Sequence, residues 1–253
     1  MSQQLQLTAL PGLPAVQPGD SLIELIRDGL ENAGLRLEDG DVLVLAQKIV
    51  SKAEGRLFDL AGVEPSYRAK ELAQQVDKDP RVVELVLRES RQILRTRPGL
   101  IIVEHKNGFI CANAGIDQSN VLGDGEHVLL LPEDPDRSAE QLRAQLSELF
   151  DVEIGVVIAD SHGRAWRLGT VGVAIGVAGM PALVDLRGHP DMFERVLRIT
   201  EVGFADEVSA AASILMGQAD EGQPVVHVRG LPYGLRPSSL KELIRPEEED
   251  LFR

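Results

Sequence analysis

The sequence is short of cysteine, of aromatic residues and of positive charge. Its 253 residues include one cysteine, Cys111, which cannot form a disulfide within the chain and which we expect to be a small buried strand residue. Lys and Arg number 26 against 40 Asp and Glu, so the formal charge of −14 repels phosphate backbones and anionic lipid. These shortages disfavour a role on nucleic acid or at a membrane surface.

The sequence also lacks an apolar run long enough to cross a membrane, which would need about 20 residues. The opening MSQQLQLTAL has neither the basic start nor the apolar centre of a targeting signal. We therefore expect a cytoplasmic protein, in keeping with its single cysteine. The apolar content of 43% is enough to build a full core, as one large domain or as two interlocked ones.

Apolar residues recur at helical spacing in several stretches and predict helices there. Asp20 or Ser21 can cap the first helix, and Gly34 can end it. Pro80 is expected to split a long helical stretch into two. The predicted helices are DSLIELIRDGLENAG (20–34), two helices within 66–95, SAEQLRAQLSELF (138–150) with Leu142, Leu146 and Leu149 on one face, and about 205–217 with Val208, Ala212 and Leu215 facing inward.

Valine-rich apolar runs predict strands. The run that follows Asp41 should end near Ala46, and EIGVVIAD should end at Asp160. Asn107 and Gly108, between two apolar runs, give the strongest hairpin signal in the chain. Two further strands are predicted in HVLLLP (127–132) and PVVHVRG (224–230), whereas GTVGVAIGVAGM (169–180) suits either a strand or a packed loop. Helices and strands in this irregular order argue against a regular βα barrel.

Three oxygen-rich segments follow predicted strands or helices: NAGIDQSN (113–120), ADSHGRAWRLG (159–169) and MGQADEGQ (216–223). Hard divalent cations such as Mg²⁺ and Mn²⁺ prefer oxygen ligands, which Asp117, Asp160, Ser161 and Gln218 could supply. Taken singly, each segment is more often a capped turn than a site.

Phosphate binding is less well marked in the sequence. Arg164 and Arg167 could clamp phosphate, or could be surface residues with Trp166 packed between them. Lys52 is by default a solvated lysine. There is no GxxxxGK[ST] phosphate loop and no dinucleotide fingerprint, and the five histidines show no metal-ligand spacing.

Six ordered segments together resemble the coenzyme F420-0:L-glutamate ligase family, also called γ-glutamyl ligases. They are GLPAVQPGD, IVSKAEGR, NAGIDQSN, VVIADSHGRAWRLGTVGVAIG, ADEVSAAASILMGQADEGQPVVHVRG and EEEDLFR. The resemblance covers nearly the whole chain and points to the stand-alone form, without a fused flavin-binding domain. It implies an α+β fold of irregular mixed sheets with packed helices that forms an intertwined homodimer.

The resemblance also implies a reaction. A carboxylate of coenzyme F420-0 would be phosphorylated by GTP, L-glutamate would attack the acyl phosphate, and later glutamates would join through γ-linkages. Mg²⁺ or Mn²⁺ would be required, with two ions expected, and K⁺ would assist. Catalysis by positioning and electrostatics needs no protein nucleophile, which suits a sequence with no Ser-His-Asp or Cys-His arrangement.

Carried over by residue, the resemblance implies metal ligands at Asp117, Asp160, Ser161 and Gln218. The implied GTP contacts are Leu13, Pro14, Ala15, Val16, Gln47, Lys48, Lys52, Asn120, Met216, Gly217, Gln218, Ala219, Asp220, Glu221, Gly222 and Gln223. Ser161 stands where Thr is more usual and Gln218 where Glu is expected. Gln47 and Lys48 stand where a member of the family carries small hydroxyl residues.

Two other classes of protein would use the same residues. A metal-dependent phosphohydrolase would release phosphate from GTP without glutamate, and a non-catalytic module would bind GTP and leave it unchanged.

Overall fold

A computed structural model of the chain describes residues 4–119, 121 and 125–252. Its α-helices are α1 Leu22–Asn32, α2 Gln47–Ala53, α3 Tyr67–Val76, α4 Pro80–Arg88, α5 Pro135–Phe150 and α6 Phe204–Met216. Its strands are β1 Gln6–Ala9, β2 Val42–Ala46, β3 Leu57–Asp59, β4 Ser90–Arg97, β5 Leu100–His105, β6 Ile110–Ala112, β7 His127–Leu129, β8 Gly155–Arg164, β9 Arg167–Ala178, β10 Val184–Asp185, β11 Glu201–Val202 and β12 Val225–Arg229. The fold is α+β, as predicted.

Local signals fix the ends of the predicted helices. The Ser21 hydroxyl accepts a hydrogen bond from the backbone N–H of Glu24 and caps α1, and Gly34 follows the helix with a φ of +64°. The Asp79 carboxylate caps α4, whose first residue is Pro80. Proline is favoured at that position because its missing N–H would have no helical partner, so the break predicted at Pro80 is confirmed.

The largest sheet has the strand order β1, β12, β2, β8 and β9. Strands β2 and β8 are parallel, and the other neighbouring pairs are antiparallel. Ala46 at the end of β2 pairs with Ala159, so Gln47 and Asp160 continue from the same edge of the sheet. We refer to this edge as the carboxyl edge.

Two further segments meet at the carboxyl edge. Strand β12 starts there, because Val225 pairs with Leu45, and the loop after α6 precedes that start. Strand β1 runs antiparallel to β12 and ends there, with the Leu10 N–H donating to the Val225 carbonyl. The topology thus brings four distant segments together, in the position where α/β sheets with parallel strands commonly bind ligands.

Both faces of this sheet are buried, which explains the continuous valine runs. Leu43, Leu45 and Ile158 face a core shared with α1, α2 and α5, whereas Val44 and Val157 face a core shared with α6. A separate core joins α3 and α4 to the sheet of β4, β5 and β6. Cys111 is buried in that core on β6, as expected.

Two sequence predictions of secondary structure were wrong. The helical stretch does not reach Arg95, because α4 ends at Arg88 and residues 90–97 form β4. A turn at Pro98 and Gly99 folds β4 back onto β5, and this pairing overrides the local helical pattern. Strand β8 does not end at Asp160 but continues to Arg164 as one arm of a hairpin with β9.

The sequence left either a strand or a packed loop open for residues 169–180. They form a strand as far as Ala178, as part of β9. The predicted inward faces of α5 and α6 are correct at Leu142, Leu146, Val208 and Ala212. Leu149 and Leu215, in the last turn of each helix, are exposed instead. No helix in the described ranges is long and apolar enough to cross a membrane.

Candidate active site

A crevice of about 400 Å³ opens at the carboxyl edge of the large sheet. Its walls come from the segment after β1, the start of α2, the middle of β8 and the loop after α6. The residues predicted from the sequence that line it are Leu13, Pro14, Ala15, Val16, Gln47, Lys48, Lys52, Asp160, Ser161, Met216, Gly217, Gln218, Ala219, Asp220, Glu221, Gly222 and Gln223.

Asn120 lies outside the described residues, so its position relative to the crevice is not described. Three other residues singled out in the sequence do not line the crevice. Asp117 lies behind Gln47 and Lys48, which contact it. Arg164 and Arg167 lie at the tip of the β8–β9 hairpin and are exposed, so the arginine clamp is not supported. Trp166 is 89% exposed and is not packed between them.

Asp117 is held just behind the wall of the crevice by two side chains from the start of α2. Gln47 Nε2 donates to Asp117 Oδ2 over 2.7 Å, and Lys48 Nζ forms an ion pair with the same oxygen. Ser51 orients Gln47 by donating to its Oε1 over 2.8 Å. Burial raises the pKa of Asp117, the charge of Lys48 opposes this rise, and the nearby charge of Asp160 adds to it.

Asp160 contacts His162, which we did not assign a role from the sequence. The two atoms His162 Nε2 and Asp160 Oδ2 lie 3.0 Å apart. Burial opposes ionisation of Asp160, but the hydrogen bond and charge of His162 outweigh it, and the pKa lies below its ordinary value. Residues two apart on a strand share a face, so His162 would have been expected beside Asp160 had β8 been predicted to continue.

Ser161 faces the other side of β8 and joins the strand to the loop after α6. Its hydroxyl donates to Gln218 Oε1 over 2.8 Å. Gly217 ends α6 at a φ of +71°, and an added Cβ there would lie 2.0 Å from Glu221 Cδ. Glu221 in turn accepts a hydrogen bond from the backbone N–H of Ala219. The loop is therefore held by a hydrogen bond within itself. It needs glycine at residue 217 because the backbone there has a positive φ and Glu221 occupies the space of a side chain.

Lys52 lies one helical turn beyond Lys48 on α2, and both line the crevice. Burial lowers the pKa of Lys52, and the charge of Lys48 lowers it further. The crevice therefore has two ammonium groups on one wall and carboxylates on another. Other lining residues that the sequence did not indicate are Ala46, Ile49, Ala159, Gly172, Ser213 and Pro224.

The donors near β8 fit a hard divalent cation by their chemistry. Asp117 and Asp160 supply carboxylate oxygens, Ser161 a hydroxyl and Gln218 an amide carbonyl, which are the donor types that Mg²⁺ and Mn²⁺ prefer. Within residues 4–119, 121 and 125–252, no three His, Cys, Asp or Glu side chains group closely enough to hold a metal ion. Any ion here would thus depend on neutral donors or on the oxygens of a ligand.

The protein is thus of the α+β class, with a crevice at the edge of its large sheet that combines two lysines with several oxygen donors. The sequence model of the F420-0:Gamma-glutamyl ligase family matches residues 12–230, and the chain belongs to that family. The family predicted from the six sequence segments is therefore confirmed.

Proteins called coenzyme F420:L-glutamate ligase are similar to this chain over almost its full length. The Methanopyrus kandleri protein is 48% identical over 98% of each chain. The Methanothermobacter thermautotrophicus protein is 46% identical over 98% of this chain and 99% of its own. The Archaeoglobus fulgidus protein is 43% identical over 99% of this chain and 97% of its own.

Proposed function

We propose that this protein is a GTP-dependent ligase of coenzyme F420 biosynthesis. It adds L-glutamate to coenzyme F420-0 and then adds further glutamates through γ-linkages. The family and the names of the relatives support glutamate ligation to the coenzyme. The GTP dependence and the acyl-phosphate route rest on the sequence resemblance and on the chemistry of the crevice.

One observation carries the proposal. The predicted GTP contacts other than Asn120 come from three sequence-distant regions, 13–16, 47–52 and 216–223, and they line a single crevice with Asp160 and Ser161. Residues this far apart in sequence would not converge if each were only a capped turn. Two lysines on the crevice wall supply local positive charge in a protein whose net charge would otherwise repel a triphosphate.

The proposed chemistry has two steps. A carboxylate oxygen of the acceptor attacks the γ-phosphorus of GTP, the bond to the β-phosphate oxygen breaks, and GDP leaves. The amine of glutamate then attacks the acyl carbon, phosphate leaves with the carboxylate oxygen, and the amine loses a proton. Both steps bring anions together, so Lys48 and Lys52 lower the barrier by electrostatic stabilisation rather than by covalent catalysis.

Asp117, Asp160, Ser161 and Gln218 would hold the divalent metal, Mg²⁺ or Mn²⁺. When bound, a divalent ion screens the charge of the phosphates and aligns them for transfer. Asp160 is oriented for this by His162, and Ser161 and Gln218 are already in contact with each other. The contribution of K⁺ is proposed from the resemblance alone.

Incubation of the protein with coenzyme F420-0, GTP, Mn²⁺ and L-glutamate, followed by mass spectrometry, tests the proposal. We expect a product that is heavier than coenzyme F420-0 by one glutamate residue. One GDP should be released for each amide formed. Release of phosphate without glutamate would instead identify a phosphohydrolase. Bound but unchanged GTP would identify a non-catalytic nucleotide-binding protein.

We also propose that the protein forms a homodimer, as the resemblance implies. The segment between β10 and β11 exposes four large apolar side chains, Met192, Phe193, Val196 and Ile199, each more than 60% exposed. Apolar exposure of this extent on one segment is typical of a protein interface. Light scattering should give the mass of two chains, and Phe193→Asp should shift it towards one chain, whereas Tyr67→Asp on α3 should not.

A further inference from the structure

Lys48 lies between Asp117 and the crevice. Gln47 and Lys48 line the crevice, whereas Asp117 is not among its lining residues. Both side chains contact the same oxygen, Asp117 Oδ2. A metal ion in the crevice therefore cannot use this oxygen of Asp117 while Lys48 keeps its contact.

The two partners of Asp117 differ in how firmly they are held. Gln47 is 1% exposed and is fixed by the hydroxyl of Ser51. The Lys48 side chain is 30% exposed, lines the open crevice and carries its charge on a flexible four-carbon stem. Lys48 can leave Asp117 by rotation of its own side chain, whereas Gln47 cannot leave without disturbing the buried start of α2.

Charge favours an exchange at this position. The nearby charge of Asp160 raises the pKa of Asp117, and the ammonium group of Lys48 forms an ion pair with Asp117. With His162 beside Asp160 left unchanged, the two carboxylates and the Lys48 ammonium group together contribute a charge of −1, whereas the two carboxylates and one divalent ion contribute none. A displaced Lys48 would join Lys52 on the same wall, where a triphosphate would compensate both charges.

We propose that Lys48 exchanges partners during the reaction cycle. Its ammonium group neutralises Asp117 in the absence of a divalent ion. Lys48 would leave Asp117 and pair with the phosphates of the nucleotide when Asp117 serves as a ligand of the ion. The metal and the nucleotide then bind cooperatively, because the metal frees Lys48 and the nucleotide gives it a new partner. This inference rests on the proposed function for the identity of the nucleotide, but it concerns binding rather than turnover.

The test compares Lys48→Met with Lys52→Met, two variants that remove one ammonium group each from neighbouring turns of α2. Free Mn²⁺ is measured by electron paramagnetic resonance during titration, with and without a non-hydrolysable GTP analogue. Without nucleotide, Lys48→Met should bind Mn²⁺ about tenfold more tightly than the wild type because no ion pair has to break, and Lys52→Met should change the affinity less than about threefold. The analogue should strengthen Mn²⁺ binding by a much smaller factor in Lys48→Met than in the other two proteins.

Equal increases in Mn²⁺ affinity in the two variants would show a general electrostatic effect and would overturn the exchange. An unchanged affinity in Lys48→Met, with thermal unfolding showing a folded protein, would overturn it as well. A wild-type protein that binds neither Mn²⁺ nor the analogue would contradict the proposed function and this inference together. If the wild type shows normal ligase turnover but the two variants change Mn²⁺ affinity equally, the exchange is contradicted and the proposed function is not.

Discussion

Ser161 Oγ and Gln218 Oε1 lie 2.8 Å apart, and their hydrogen bond joins strand β8 to the loop that follows α6. Gln218 could instead have capped α6, which would have made it a purely structural residue. The C-cap is Gly217, whose N–H donates to the Ser213 carbonyl, and the Gln218 side chain points to Ser161. Gln218 is therefore placed as a neutral oxygen donor beside Ser161.

Gln218→Glu should strengthen Mn²⁺ binding in the absence of GTP by about tenfold, because a carboxylate adds a negative charge that the amide lacks. The gain should be smaller with GTP present, when phosphate oxygens share the ion. Calorimetric titration of Mn²⁺ measures both. Gln223→Glu is the matched control, since it adds the same charge to the same crevice, and an equal gain there would remove Gln218 from the metal site.

Asp117→Asn and Asp160→Asn should each lower ligase activity more than about 100-fold, because each removes a charged oxygen from a site for a hard metal. The fold should persist, with a loss of stability near 1 kcal/mol, which corresponds to about 2 to 4 °C in Tm for a chain of this size. Steady-state rates at saturating Mn²⁺ and thermal unfolding give the two quantities. Asp151→Asn, at the exposed left-handed position that ends α5, should leave activity unchanged and should not lower stability. Full activity in either site variant would refute its assignment.

Lys52→Ala should raise the KM for GTP more than about tenfold, since a charge-assisted bond to phosphate contributes roughly 1.5 to 3 kcal/mol. The KM for glutamate should change little. Initial rates at varied GTP and glutamate separate the two effects. Lys70→Ala on the exposed side of α3 is the control, and a wild-type KM for GTP in Lys52→Ala would mean that Lys52 does not contact the nucleotide.

Asp41 should make stability depend on pH in the acid range. Burial opposes its ionisation, but hydrogen bonds from Arg229 and His227 outweigh burial and lower the pKa from 3.8 to about 2. Because the folded state binds the proton less tightly than the unfolded state, this stabilisation of about 2 kcal/mol is complete above pH 4 and is lost as the pH falls towards 2.

Asp41→Asn should therefore cost about 2 kcal/mol or more at pH 7, and the difference from the wild type should shrink below pH 4. Urea unfolding at a series of pH values measures it. Asp28→Asn breaks an exposed ion pair with Arg27 and should change the free energy of unfolding little at any pH. If the difference in free energy of unfolding between Asp41→Asn and the wild type does not vary with pH, the lowered pKa of Asp41 is not the source of the stabilisation.

The sequence predicted most elements of the fold because their signals are local. The cap at Ser21, the break at Pro80 and the hairpin at Asn107 and Gly108 each depend on a few adjacent residues. Strand β4 could not be recognised in the same way, because its pairing with β5 overrides its own pattern and includes two register shifts. The turn at Pro98 and Gly99 was the one local signal for it.

The members of the site could be predicted, but their contacts could not. The sequence resemblance placed Lys48 and Asp117 in one site, yet they are 69 positions apart in the chain and nothing local indicates an ion pair. His162 was missed because the residues after Asp160 are polar, so the sequence did not indicate that β8 continues there. This part of the strand lies outside the core and therefore needs no alternation of apolar and polar residues. Long-range contacts of this kind depend on topology, which the local pattern does not encode.

The central claim is that the acceptor carboxylate is activated by phosphoryl transfer in this crevice. Coenzyme F420-0 labelled with ¹⁸O in the reacting carboxylate tests it directly, with GTP, Mn²⁺ and L-glutamate in one incubation and mass analysis of the phosphate released. An acyl phosphate keeps one carboxylate oxygen on phosphorus when the amine attacks carbon, so we predict one ¹⁸O in the phosphate released with the first amide formed on coenzyme F420-0. Later additions react at the carboxylate of an unlabelled glutamate and release unlabelled phosphate. Unlabelled phosphate released with the first amide product would contradict phosphoryl transfer to the carboxylate.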